Sequence, residues 1–168
     1  MAQITLKGNP IHTVGDLPAV GSTAPDFVLT ARDLTDRTLA DLGNKKKVLN
    51  ITPSLDTSVC AASAKRFDTE AAKLPDTIVL NVSCDLPFAQ ARFCDNEQIE
   101  TLITLSQLRN REFGKNYGVE ITDGPIAGLL ARAVVVLDRD NRIVYTELVP
   151  EIGQEPAYDA ALEAIVNA

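Results

Sequence analysis

Apolar runs of strand length alternate along this chain with segments whose apolar positions recur at helical spacing. Residues 3–7 alternate in polarity, Gly8-Asn9 is a turn dipeptide and residues 10–14 return, which predicts a small amino-terminal hairpin. A loop-rich stretch runs over 15–25. Residues 26–30 then read as a short strand with Phe27 and Leu29 on one face, and 32–44 as a polar connection. Residues 48–51 and 77–83 are largely apolar and predict two buried strands. Between them, 58–74 predicts a helix: Val59, Ala62, Phe67, Ala71 and Leu74 share a face, Thr57 or Ser58 caps the start, and Pro75 stops the end. Two such strands joined by a helix make a right-handed βαβ unit.

Further on, 86–95 and 110–117 predict short helices, and 131–137 is a strand rich in valine. The polar tetrad 138–141 turns the chain and 142–149 returns beside that strand. Pro156 opens a last helix whose Tyr158, Leu162, Ile165 and Val166 form an apolar stripe. The order β-α-β-α-β-β-α, preceded by an extra strand pair, predicts an α/β thioredoxin-like fold: a central mixed β-sheet flanked by helices, with an N-terminal β-hairpin extension. Residues 1–168 are expected to form one domain.

At 168 residues, 45% of them hydrophobic, the chain is long enough to build a continuous core without disulfide staples. Its formal net charge of -7 repels phosphate backbones and anionic lipid, so neither nucleic acid nor a membrane surface is an expected partner. Lys45 to Lys47 form a basic run that reads as a solvated strand entry. The opening residues lack a basic region followed by an apolar run, and no segment reaches the roughly 18 apolar residues of a membrane span. A cytoplasmic location is expected, with the periplasm as the alternative. Three cysteines, Cys60, Cys84 and Cys94, are too few and too uneven for a secreted disulfide scaffold. They fit a reducing compartment in which cysteine is kept for chemistry.

Cys60 falls in the first turn of the helix predicted over 58–74. Unpaired backbone N-H groups and the positive end of the helix dipole favour a thiolate there, and such sites lower a thiol pKa from about 8.5 to as little as about 3.5 to 7.5. The thiolate is the nucleophile. The competing reading is a small buried apolar side chain.

The surrounding residues weigh against that second reading, because Pro53-Ser54-Leu55-Asp56-Thr57-Ser58-Val59-Cys60 resembles the Pro-x-x-x-Thr-x-x-Cys signature of peroxiredoxins. The resemblance implies that Cys60 attacks the peroxide, that the Thr57 hydroxyl hydrogen-bonds it, that Pro53 shields the sulfur, and that an arginine from a distant strand binds both sulfur and substrate. Arg132 is that arginine by position. It is a lone charge in the apolar run Leu129-Leu130-Ala131-Arg132-Ala133-Val134-Val135, and a fixed cation beside a thiolate holds it ionised.

Within peroxiredoxins the chain is similar to the bacterial thiol peroxidase subfamily over nearly its whole length. Residues Asp85-Leu86-Pro87-Phe88-Ala89-Gln90-Ala91-Arg92-Phe93-Cys94 resemble the segment bearing the resolving cysteine, and Asp123-Gly124-Pro125 with 131–136 resembles the arginine strand. By this resemblance Cys94 is the resolving thiol. It traps the Cys60 sulfenic acid as an intramolecular disulfide before further oxidation, with unwinding of at least one segment. Cys84 departs from the pattern and reads as a buried structural cysteine. The resemblance further implies recycling by thioredoxin, a preference for alkyl hydroperoxides, a homodimer, a role in antioxidant defence, and no metal or cofactor.

Other chemistries fit less well. Cys60-Ala61-Ala62-Ser63 lacks the second thiol of a disulfide exchanger, and the lone His12 lies in the predicted hairpin, too isolated for a zinc site or a Cys-His hydrolase. A non-catalytic redox-sensing or binding module on the same fold is the alternative from another class.

Overall fold

The computed structural model describes residues 1–71 and 73–168. Strands β1 (Gln3–Leu6) and β2 (Asn9–His12) form an antiparallel pair by themselves, as the turn at Gly8 predicts. The remaining elements follow in the order β3 (Leu29–Ala31), β4 (Asp36–Arg37), β5 (Lys46–Ile51), α1 (Ser58–Ala71), β6 (Thr77–Ser83), α2 (Pro87–Glu97), β7 (Ile103–Ser106), α3 (Glu112–Asn116), β8 (Ala133–Leu137), β9 (Ile143–Leu148) and α4 (Tyr158–Val166). Strands β3 to β9 build one mixed sheet in the order β4-β3-β7-β6-β5-β8-β9. The pairs β5/β6 and β6/β7 are parallel; the other pairs are antiparallel. This is a thioredoxin-like sheet with a hairpin extension.

The central strands are apolar on both faces because each face is covered. Val48, Val79, Val134 and Val136 pack with Ala64 and Phe67 of α1, Cys94 of α2, and Tyr158, Ala161 and Ile165 of α4. Their neighbours Leu49, Leu80, Val135 and Leu137 face the other way, against Phe27, Phe113, Tyr117 and the hairpin residues Ile4 and Ile11. Phe113 stacks on Tyr117 at a centroid distance of 4.4 Å, and Phe27 meets Phe113 edge-on at 5.8 Å.

A polar column crosses the interior at the middle of β5 and β6. Asn50 Nδ2 donates to Asn81 Oδ1 at 2.8 Å and to Ser63 Oγ at 3.2 Å, Asn81 Nδ2 donates to Thr52 Oγ1 at 3.2 Å, and Ser63 Oγ donates to the Cys60 carbonyl at 3.0 Å.

Several expectations need correction. The buried face of α1 is Cys60, Ser63, Ala64 and Phe67, whereas Ala62 is exposed. Polar Ser63 occupies a core position because Asn50 meets it, which rotates the face away from the one hydrophobicity alone selects. The Ala71 side chain and Ala72 lie outside the described residues, and Leu74 is half-buried. Lys47 is fully buried, not a solvated strand entry: its Nζ donates to the Gly43 and Lys45 carbonyls at 3.0 and 2.8 Å, and burial lowers its pKa. The last helix starts at Tyr158, and Val166 points outward where Ala161 is buried. Residues 26–28 precede β3 rather than joining it, held by the Asp26 carboxylate, which accepts the Phe27 and Leu39 N-H groups. Strands β4 and β7 were not anticipated.

Candidate active site

The loop from β5 into α1 is shaped by one carboxylate. Asp85, just beyond β6, accepts the Ser54 hydroxyl at 2.7 Å through Oδ1, and the Leu55 N-H and Ser83 hydroxyl at 2.8 Å each through Oδ2. Thr57 then closes the turn. Its N-H and its hydroxyl both donate to the Ser54 carbonyl, at 3.2 and 3.0 Å, and its own carbonyl accepts the Ala61 N-H as α1 begins. Because the Thr57 hydroxyl spends its proton on Ser54, its lone pairs remain to accept a hydrogen bond from a substrate.

Cys60 is the third residue of α1 and is 0% exposed. Arg132, 1% exposed, sits just before β8 on the strand that neighbours β5 in the sheet. Its Nη2 donates to Cys60 Sγ at 3.3 Å and its Nε donates to the Ile152 carbonyl at 2.9 Å. Nη1 is buried with no partner among the described residues. A guanidinium anchored at Nε, with one nitrogen on sulfur and another free, can stabilise negative charge on the sulfur and on an oxygen bound beside it.

Above this pair lies a cavity of about 270 Å³ lined by Pro53, Thr57 and Arg132 and by the apolar side chains of Leu6, Val59, Ile126, Leu129 and Ile152. Pro53, Thr57 and Arg132 thus line one cavity, and Arg132 reaches from it to the buried Cys60 sulfur, which brings four of the sequence-predicted residues into one neighbourhood. Cys94 is not part of that group. It lies in α2 as a free, buried thiol in the core layer beneath α1. Burial pushes its pKa up, with the Asp95 and Asp68 carboxylates adding to the effect and Arg32 opposing it.

Cys84 is half-buried rather than fully buried. Gln107 Nε2 donates to its sulfur at 3.2 Å, the thiol points to the Gly128 carbonyl at 3.5 Å, and burial again raises its pKa. His12 pairs with Asp123 at 2.7 Å, away from all three cysteines. Among the described residues no group of three or more histidine, cysteine or carboxylate side chains is placed to hold a metal ion, and no helix is long and apolar enough to cross a membrane.

Sequence reasoning missed Asp85 and Ile152. Asp85 falls inside the segment that ends at Cys94 without its partners there, and Ile152 acts through its carbonyl, which no side-chain pattern reports.

A thiol held by a buried arginine at the start of the first crossover helix of a thioredoxin-like sheet defines a thiol-redox protein. Comparison with known proteins narrows this. The redoxin family matches residues 19–162. Thiol peroxidases of Mycobacterium tuberculosis and Mycobacterium bovis are 57% identical over 165 residues, covering 98% of this chain and 99% of theirs. A peroxiredoxin-like protein from Aquifex aeolicus superposes with a TM-score of 0.93 at 38% identity, covering 99% of this chain and 97% of its own. A thiol peroxidase from Chromobacterium violaceum shares the fold at a TM-score of 0.91 and 23% identity, over 98% of this chain and 95% of that one. The chain belongs to the redoxin family and, within it, to the thiol peroxidases.

Proposed function

We propose that Cys60 is the peroxidatic cysteine, Cys94 the resolving cysteine, and Thr57, Arg132 and Pro53 the residues that bind and orient a hydroperoxide over the sulfur. The observation that carries this reading is the 3.3 Å contact from Arg132 Nη2 to Cys60 Sγ, beside a second guanidinium nitrogen that is buried and has no partner among the described residues.

The Cys60 thiolate attacks the distal oxygen of the peroxide, the O-O bond breaks, and the departing alkoxide takes a proton and leaves as the alcohol, or as water from hydrogen peroxide. Arg132 stabilises the charge that moves from sulfur to oxygen. Cys94 then attacks the Cys60 sulfenic acid, releasing water and forming an intramolecular disulfide, which two electrons from a thioredoxin dithiol reopen.

The two thiols occupy different helices, so the disulfide requires a segment to unwind. Of these two helices α2 buries the fewer side chains among the described residues, Pro87, Gln90 and Cys94 against Cys60, Ser63, Ala64 and Phe67 in α1; it has no side-chain cap at Leu86 and ends at Gln98 in the left-handed region (φ 55°), where a residue with a side chain costs about 1 kcal/mol. Its surface tie to α1, the Lys65–Glu97 ion pair, adds little.

The apolar cavity supports a preference for alkyl hydroperoxides over hydrogen peroxide. Leu86, Phe88 and Leu108, 50%, 67% and 48% exposed, cluster where Ser106 Oγ donates to the Asp85 carbonyl at 2.6 Å. These exposed apolar side chains support a homodimer. Three cysteines, an odd and sparse set, fit the reducing conditions of the cytoplasm, and the whole chain is read as one domain.

The deciding experiment is a thioredoxin-coupled peroxidase assay with each cysteine replaced. Cys60→Ser should abolish turnover. Cys94→Ser should allow one oxidation and then stop. Continued turnover by Cys60→Ser would overturn the assignment, and consumption of one equivalent by the unmodified protein would favour a redox sensor instead.

A further inference from the structure

Glu151 joins the amino-terminal hairpin to the catalytic arginine. Its carboxylate accepts four hydrogen bonds: from the Thr5 hydroxyl at 2.7 Å, the Lys7 N-H at 3.0 Å, the Gly8 N-H at 3.1 Å and the Gly153 N-H at 3.1 Å. Three of these donors belong to β1 or its turn. The turn needs such a hold because Lys7 and Gly8 are both left-handed, at φ 50° and 80°, and a lysine adopts that conformation at some cost. Backbone bonds from Thr5 N to the Pro150 carbonyl at 2.8 Å and from Ile152 N to the Thr5 carbonyl at 2.9 Å run beside the carboxylate.

The neighbouring residue faces the chemistry, since the Ile152 carbonyl is the acceptor that holds Arg132 Nε. One dipeptide therefore sets both the cation on the Cys60 sulfur and the position of the hairpin. The hairpin in turn supplies Leu6 and Lys7 to the cavity over Thr57 and Arg132. These four hydrogen bonds hold the Glu151 carboxyl well below its usual range, at about 2, so the latch is ionised and closed at any physiological pH.

We infer that Glu151 is a specificity-determining positioning residue: it latches the β1–β2 turn in place as the outer wall of the substrate cavity, so that Leu6 covers the organic group of an alkyl or aryl hydroperoxide. This rests on the peroxidase reading of the Cys60 site and adds a residue to it. Hydrogen peroxide carries no organic group and has no use for the wall, whereas an organic hydroperoxide loses apolar contact when the wall is displaced. Loss of such contact lowers discrimination by roughly 10-fold or more.

The test compares kcat/KM for cumene hydroperoxide and hydrogen peroxide in the unmodified protein, Glu151→Gln and Leu6→Ala. The glutamine keeps one acceptor oxygen and turns an NH₂ group toward donors that need an acceptor. Leu6→Ala leaves the latch and removes the wall. Both should reduce the cumene-to-hydrogen-peroxide ratio about tenfold, mainly through KM for the organic substrate. Amide hydrogens of Lys7 and Gly8 should exchange faster in Glu151→Gln. An unchanged ratio with both activities falling together would overturn the latch while leaving the peroxidase reading intact, as would unchanged protection of the Lys7 and Gly8 amides. Failure of the unmodified protein to turn over either peroxide would sink both.

Discussion

Ser54 Oγ and Asp85 Oδ1 are 2.7 Å apart, and this hydrogen bond joins the loop that enters the Cys60 helix to the loop that enters the Cys94 helix. The other Asp85 oxygen holds the Leu55 N-H and the Ser83 hydroxyl. In Asp85→Asn one oxygen becomes an NH₂ group facing donors, which forfeits charge-assisted bonds worth about 1.5 to 3 kcal/mol each. The expected result is a Tm lower by several degrees and a rate of Cys60 oxidation reduced roughly tenfold. Stopped-flow oxidation in a Cys94→Ser background reads this directly, and an unaltered rate would show that the loop does not depend on the carboxylate.

Arg132→Lys tests the fork geometry. An ammonium group cannot donate to the Cys60 sulfur, the Ile152 carbonyl and a bound oxygen from one rigid plane, as the guanidinium can. Loss of about 100- to 1000-fold in kcat/KM is expected, the range typical of removing one donor to a developing negative charge. Equal efficiency of the lysine variant would reduce the role of Arg132 to that of a simple point charge.

The Cys94 thiol carries a pH prediction. Burial raises its pKa in the folded protein, so the folded state holds this proton more tightly than the unwound one. The stabilisation is fully present below the ordinary thiol value and is lost as pH rises through the folded value, by at most about 1.4 kcal/mol per pH unit. Opening of α2, followed by amide exchange corrected for intrinsic rates, should become easier as pH rises above the ordinary thiol value of about 8.5. Cys94→Ala should remove that pH dependence. A slope that survives the substitution would place its origin elsewhere.

Cys84→Ser should keep peroxidase turnover within about twofold, since the Cys84 sulfur contacts Gln107 and the Gly128 carbonyl rather than the Cys60 site. Peptide mapping of the oxidised protein should still find Cys60 joined to Cys94. A Cys60–Cys84 disulfide would reassign the resolving role.

Much of this arrangement is legible in the sequence because its signals are local or strongly patterned. The signature over 53–60 fixes the Cys60 turn, the valine run fixes β8, and a charge inside an apolar run marks Arg132. What escaped is what depends on distant partners. Ser63 and Lys47 look like surface residues until Asn50 and the carbonyls of Gly43 and Lys45 are placed beside them. Strand β7 did leave a trace in the alternation of Ile103, Thr104, Leu105 and Ser106, but four residues are too few to stand out. Strand β4 has only two. Glu151 works mainly through backbone N-H groups, which every residue carries, and Asp85 through two hydroxyls and one N-H that come together only in the fold, so no spacing of side chains announces them.

The Asn50–Asn81 pair also bears on how the chain finds its alignment. These residues are direct partners in the parallel β5/β6 register. Sliding β5 by one position would turn its core side chains to the wrong face. A slide of two keeps every side chain on its own face, and greasy contacts alone would scarcely object. It would also part the two carboxamides and leave each wanting a partner in a dry interior, at about 1 to 3 kcal/mol apiece. The pair thus acts as a key for the alignment of the two strands that the Cys60 helix connects.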